Sequence, residues 1–324
     1  MMDWTDRHCR YLHRLFAPHA LLYTEMIVSA AIVRGNATRL LEHDPREHPV
    51  ALQVGGCDPL ELAQAARIGA AAGYVEINLN VGCPSDRVKN GAFGACLMLN
   101  PTLVADCVRR MRDAVRVPVT VKCRIGIDDQ DSYDFFMRFV DAVAAAGVDA
   151  LIVHARAAIL GGVARPGLSP KENREIPPLK YGYVHRLKSE RPTLPIVING
   201  GITDAPSVLA QMSFGLDGVM LGRGVYHRPG LLAELENAVI NPTWRIPRPW
   251  EIIEHMVNYA QEQALRGVRL HSITRHMHGL MAGREGARAW RRFLSEVAAR
   301  PETSPETLFS ALPILAPRPS CLNG

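Results

Sequence analysis

No stretch of the 324-residue sequence approaches the ~20 consecutive apolar residues that a helix needs to cross a bilayer. The opening run Met1-Met2-Asp3-Trp4-Thr5-Asp6-Arg7 also lacks the apolar segment of a secretory signal. Cysteine is sparse, with seven residues scattered along the chain and no C-x-x-C pair. That spacing excludes a disulfide framework and a zinc ribbon, so no metal is expected and the thiols should stay reduced in a cytoplasm. No G-x-G-x-x-G fingerprint occurs, which excludes a resident Rossmann site for a dinucleotide. Lysine is absent from Trp244 onward, where eleven arginines stand against seven glutamates. Four of the five net positive charges therefore lie in the last quarter of the chain. This bias points to a polyanionic partner, although a solvated helix face carries such charge equally well.

What is present suits one large α/β domain with a small appendage. A hydrophobic fraction of 48% is ample for a core, and 21% charged residues is ordinary. Thr5 can cap a first helix over Asp6–Phe16. Short apolar, β-branched runs then read as strands over Leu21–Thr24, Val50–Val54, Val75–Leu79, Val119–Cys123, Ala150–His154, Ile196–Asn199 and Gly218–Leu221. Amphipathic, alanine-rich helices fall between them over Pro59–Ala72, Leu103–Val115, Tyr133–Ala146, Tyr183–Glu190 and Ala205–Phe214. Strand and helix alternating in this way demand a parallel sheet, and a span of ~250 residues fits a (β/α)₈ TIM barrel. Only seven strands are visible, so a closed barrel wants one more ahead of Met1, and the first strand reads as missing. A helix near Pro229–Val239 follows, and Pro242, Pro247 and Pro249 mark a linker. The barrel is thus expected over residues 1–243 and a small all-α domain over 244–324. Its helices are expected over Trp250–Arg266, Ile273–Met281 and Ala287–Arg300, with a loose tail from Pro301. In the last helix Ala287, Trp290, Leu294 and Val297 form a core stripe, while Arg288, Arg291 and Arg292 share another face.

The strand ends carry the chemistry. Val75–Leu79 breaks into Gly82-Cys83-Pro84, a tight loop that presents a thiol beyond a strand's carboxyl end, where barrels bind ligands. A buried structural cysteine is the plainer reading of such a residue. Gln53, Lys122 and His154 close three further strands. A lysine in a buried strand is costly unless something anionic meets it. One buried histidine is ordinary, but Gln, Lys, His and Cys at the same ends of four strands argue for a site. Asn199-Gly200-Gly201 and Gly222-Arg223 end the last two strands. Glycines at those junctions let backbone N–H groups approach a phosphate, and Arg223 adds a fixed cation.

With Leu-Asn-Val-Gly-Cys-Pro-Ser-Asp-Arg-Val, Val-Lys-Cys-Arg-Ile-Gly-Ile-Asp-Asp, Leu-Ser-Pro-Lys-Glu-Asn-Arg-Glu-Ile-Pro-Pro and Ile-Asn-Gly-Gly-Ile in view, the chain resembles the A-type branch of the tRNA-dihydrouridine synthases. The resemblance runs from Met1 to about Leu294, and the Ser169–Pro178 block is its most specific part. It implies an FMN-dependent reductase, supplied by NADPH, that saturates the C5–C6 bond of D-loop uridines in tRNA, with positions 20 and 20a expected for this branch. It implies a phosphate site at Asn199, Gly200, Gly201, Gly222 and Arg223, and flavin contacts from Gln53, Lys122 and His154. It implies Cys83 as the acid that protonates uracil C5, with Asn80 and Gly82 beside the base. It implies Lys171, Arg174, Arg288 and Arg291 as tRNA contacts, and a monomer free of any membrane. The segment His154–Gly167 is about five residues longer than the branch pattern, with Ala157 and Ile159 where Lys and Trp are usual. Two rivals follow from the same residues. One is an FMN barrel reducing a small pyrimidine, and the other is a tRNA-binding protein without catalysis.

Overall fold

The structure, a computed structural model, describes residues 1–85, 93–161, 166–300 and 302–315. Residues 162–165 of the long loop after His154, and 301 and 316–324 of the tail, lie outside the described residues. Seven strands form one sheet in chain order: β1 (Leu22–Val28), β2 (Val50–Gly55), β3 (Glu76–Val81), β4 (Val119–Arg124), β5 (Ala150–His154), β6 (Ile196–Asn199) and β7 (Gly218–Met220). All six neighbouring pairs are parallel. Helix α1 (Arg7–Arg14) precedes the sheet, and α2 (Ser29–Arg34) and α3 (Ala37–Leu40) link β1 to β2. The next four crossovers carry α4 (Pro59–Ala71), α5 (Pro101–Ala114), α6 (Tyr133–Ala145) and α7 (Tyr181–Glu190), and α8 (Ala205–Met212) leads into β7. This is TIM-barrel architecture, with seven strands among the described residues.

Local chemistry sets these boundaries. Asp58 accepts the N–H groups of Leu60 and Glu61 ahead of Pro59, Ser132 caps α6, and Asp204 caps α8. β2 and β3 are buried along their whole length. Their two faces can be told apart at Gly69 in α4, where an added Cβ would lie 2.4 Å from Leu52 Cδ2 and 3.0 Å from Ile77 Cδ1. Leu52 and Ile77 therefore face the helix. The alternation of a strand turns Gln53, Asn78 and Asn80 to the barrel interior.

The chain divides into two compact units. The first comprises Met1–Met2, Leu21–His43 and His48–Leu221, and holds the sheet. The second comprises Asp3–Ala20, Asp44–Glu47 and Gly222–Gly324. Its helices are α1, α9 (Arg223–His227), α10 (Gly230–Leu235), α11 (Pro249–Ala264), α12 (Leu270–Thr274), α13 (Ala287–Glu296) and α14 (Leu312–Leu315). Tyr11 stacks on Tyr259 with centroids 3.9 Å apart, and the buried Arg10 and Glu47 pair at 2.7 Å. Trp290, fully buried, donates its indole N–H to the Met277 carbonyl at 2.8 Å.

Several expectations are corrected. β1 reaches Val28 rather than Thr24, because an irregularity between Tyr23 and Met26 resets its register and lets Ile27 and Val28 pair with Val54 and Gly55. Asp6, not Thr5, caps α1, since its carboxylate accepts from the backbone of His8 and Cys9. The helix expected over Pro229–Val239 passes at Glu236 into a π turn, and Glu236 is buried where His19 Nδ1 meets it at 2.5 Å. The helix expected over Ile273–Met281 is instead α12 followed by a 3₁₀ turn at Met277–Gly279. The last helix, α13, ends at Glu296 rather than Arg300, and of the four stripe residues only Trp290 and Leu294 are fully buried. The tail is not loose throughout: a 3₁₀ segment at Pro305–Ala311 buries Leu308 and Ala311 completely. Among the described residues no helix is long and apolar enough to cross a membrane.

Candidate active site

Inside the first unit, β3 delivers a cysteine on a braced turn. Asn80 Oδ1 accepts the backbone N–H groups of both Gly82 and Cys83, at 3.0 and 2.9 Å. Asn80 Nδ2 in turn donates to Gln53 Oε1 at 2.8 Å. The Cys83 carbonyl accepts the Ala95 N–H at 3.0 Å, which ties the turn to the 3₁₀ segment Gly94–Leu99. The thiol is half-buried, with Ser85 Oγ 3.5 Å away. Gln53, on β2, and Asn80 are both buried. Asn80 also has a role that the sequence reading misses, because it holds the cysteine turn itself.

Lys122 sits opposite Asn80 in the register of β3 and β4. Its Nζ donates to Asn199 Oδ1 at 3.2 Å, and Asn199 Nδ2 donates to the Met220 carbonyl at 2.8 Å. Burial, reinforced by Arg124, lowers the Lys122 ammonium to about 8. His154 is buried opposite Asn199, and burial with the charges of Arg124, Lys122, Arg156 and Arg174 keeps its imidazole neutral, well below the usual histidine range. Gly200, at φ +115°, follows Asn199, and a Cβ there would come within 2.5 Å of His154 Cδ2. The glycine is thus needed for close approach as well as for its backbone angle. The result is a cluster of several cations around a neutral imidazole, an environment suited to an anion.

Arg124, unremarked by the sequence reading, is 2% exposed and joins three loops. Its guanidinium donates to the carbonyls of Gly82 at 3.1 Å, Ala157 at 3.1 Å and Asn173 at 2.9 Å. Asn173 is fully buried and clasps Ile159 through both its N–H and its carbonyl, at 2.7 and 3.0 Å. Asp128 Oδ1 accepts the Leu160 and Gly161 N–H groups at 2.9 and 3.0 Å. The described part of the long loop is therefore anchored on Asp128 and Asn173, and its Ala157 and Ile159 act through their backbones.

The other residues fall elsewhere. Lys171 is exposed and Arg174 half-buried around a short 3₁₀ turn, Glu172–Arg174, which Ser169 and Glu172 cap reciprocally. Gly222 and Arg223 belong to the second unit, where Gly222 starts α9 at φ −124°. Arg288, Arg291 and Arg292 are exposed on α13, in the second unit.

The family described as dihydrouridine synthase matches residues 1–313. The tRNA-dihydrouridine(20/20a) synthase of Xanthomonas axonopodis pv. citri is 52% identical over 312 residues, 96% of this chain and 91% of that protein. The protein of the same name from Pasteurella multocida is 51% identical over 98% of this chain and 94% of its own length. That from Escherichia coli K12 is 50% identical over 98% of this chain and 90% of its own. With half its residues shared over nearly its whole length, the chain belongs to the dihydrouridine synthase family.

Proposed function

We propose that the chain is a tRNA-dihydrouridine synthase that binds FMN, takes electrons from NADPH and reduces D-loop uridines of tRNA at positions 20 and 20a. The residues of the first unit fit FMN. Lys122 is buried, and among the described residues a neutral amide is the one hydrogen-bond partner of its ammonium, so an anion there would relieve the cost of burying its charge. Gly200 has no side chain to block close approach. Gln53, Lys122, His154, Asn199, Gly200 and Gly201 would hold the cofactor, together with Gly222 and Arg223. When bound, FMN supplies the hydride for uracil C6. Cys83 Sγ then gives a proton to C5, and Asn80 and Gly82 border the base. Uridine must leave the tRNA stack to reach the thiol, at a cost of a few kcal/mol that contacts in the pocket offset. Lys171, Arg174, Arg288 and Arg291 serve the tRNA backbone and base edges. The barrel up to residue 243 carries the chemistry in this reading, and residues 244–324 carry RNA binding.

The observation that carries the proposal is the Cys83 turn, braced by Asn80 beside Gln53, with Lys122 opposite Asn80 on β4. The test is to purify the protein, record its visible spectrum, and incubate it with NADPH and tRNA lacking dihydrouridine. A flavin spectrum and tRNA-dependent reoxidation of the reduced protein are expected. A flavoprotein that reduces free uracil as fast as tRNA would favour the small-pyrimidine rival, and a colourless protein that binds tRNA would favour the pure binder.

A further inference from the structure

The brace on Cys83 does not end at Asn80. Gln53 Nε2 donates to Asn78 Oδ1 at 2.8 Å, and Asn78 Nδ2 donates to Thr120 Oγ1 at 2.8 Å. The Thr120 hydroxyl donates to Glu76 Oε1 at 2.5 Å, and the same oxygen accepts the Tyr23 hydroxyl at 2.7 Å. Register explains the continuity, since Gln53, Asn78 and Thr120 stand directly opposite one another on β2, β3 and β4. Asn78 is 0% exposed and Thr120 2%, and Glu76, Gln53 and Asn80 are each below a tenth, so little solvent competes with these bonds.

The chain has one direction. An amide can be turned end for end, so each Asn or Gln takes its orientation from its neighbours. Here both ends are fixed. A carboxylate oxygen accepts, so the Thr120 hydroxyl points at Glu76 and leaves its lone pairs for Asn78. At the far end the backbone N–H groups of Gly82 and Cys83 only donate, so Asn80 must offer them its carbonyl. Each of the three amides between them uses its NH₂ toward Glu76 and its oxygen toward Cys83. Reversing any one would set donor against donor inside the barrel. Burial raises the Glu76 carboxyl against the hydrogen bonds from Thr120 and Tyr23, yet protonation of its other oxygen leaves Oε1 able to accept both.

We propose that Glu76 and Thr120 are positioning residues that, through Asn78, Gln53 and Asn80, set the orientation of the amide holding the Cys83 turn. Any effect on uridine reduction rests on the proposed role of Cys83, whereas an effect on Cys83 reactivity does not. The experiment measures the rate of Cys83 alkylation by iodoacetamide, read by peptide mass spectrometry, alongside tRNA-dependent flavin reoxidation. Thr120→Val removes the acceptor for Asn78. It should speed alkylation about threefold or more and slow reoxidation about tenfold. Thr120→Ser should restore both to within about twofold of the unaltered protein, since the hydroxyl returns. Glu76→Gln, which keeps an oxygen for both hydroxyls and tests the chain even where Thr120→Val fails to fold, should resemble the unaltered protein. In an Asn80→Ala background, Thr120→Val should add nothing to the alkylation rate, because the link is already cut. Additive effects in that background, or Glu76→Gln altering Cys83 as much as Thr120→Val, would overturn the proposal. Altered alkylation with unaltered reoxidation would uphold the chain of bonds and instead contradict Cys83 as the proton donor.

Discussion

Lys122 and Cys83 make separate demands on the same strand ends. With its ammonium lowered to about 8 by burial and Arg124, Lys122 is mostly charged at neutral pH and loses its proton above that value. An anion bound against it favours the charged form, so binding takes up a proton once pH exceeds about 8. FMN affinity should therefore be level below about pH 7.5 and fall by up to tenfold per pH unit above about 8, and Lys122→Met should bind weakly with no such break. Flavin fluorescence titrations across that range check this, and an affinity that rises with pH would contradict it. Cys83→Ala should keep flavin and its reduction by NADPH but lose uridine reduction by ~10²-fold or more. Cys96→Ala should change little, because Cys96 is half-buried with its thiol 3.1 Å from the Phe93 carbonyl. Single-turnover reoxidation separates the two variants. Gln53, Lys122 and His154 were legible in the sequence because polar residues at the ends of apolar strands stand out, and Asn80 through the family resemblance. Glu76 and Thr120 were not, since a polar residue within a strand looks solvent-facing until its partner on the next strand is known, and Arg124 was not because the loop carbonyls it joins lie far apart in sequence.

At the scale of elements, α13 turns Trp290 and Leu294 inward and leaves Arg288, Arg291 and Arg292 exposed. Each arginine that meets phosphate displaces counterions. Neutralising Arg288 and Arg291 together should weaken tRNA binding and reduce its log–log salt slope by about two, leaving NADPH oxidation through the flavin unchanged. Filter binding at several salt concentrations measures it, and an unchanged slope would remove these residues from the RNA surface. Helix α1 carries a different sensitivity. Burial lowers both His8 and His13 from 6.5 to about 4, with Arg7 and His276 adding to the effect at His8 and His276 at His13. Because the fold prefers their neutral forms, their contribution is complete above about 6.5 and is lost as pH falls through about 4. His13→Leu should lose less stability than the unaltered protein between those limits, by up to ~3 kcal/mol. Denaturant melts at the two ends of the window test this, and equal losses would contradict it. The strands and their crossovers were legible from periodicity. The continuation of β1 was hidden by its irregular pairing, and the burial of Leu308 and Ala311 by partners far away in sequence.

For the whole molecule, alternation of strand and helix was enough to read the barrel. The make-up of the second unit was not, because residues 3–20 join Gly222 and beyond through contacts such as His8 Nδ1 to Tyr259 hydroxyl at 2.8 Å. Local pattern carries no record of such long-range pairing. The central claim is that in an NADPH-driven reduction of uridine within tRNA a thiol on a barrel strand end would give the proton and the arginines of the helical unit would bind the RNA. The most direct measurement incubates the FMN-loaded protein and NADPH with unmodified tRNA, maps dihydrouridine by mass spectrometry, and runs free uracil and Cys83→Ala in parallel. The account predicts dihydrouridine at positions 20 and 20a of the tRNA, none from free uracil, and none above background with Cys83→Ala. Flavin-loaded protein that leaves those uridines unreduced, or a Cys83→Ala protein that reduces them at the full rate, would contradict it.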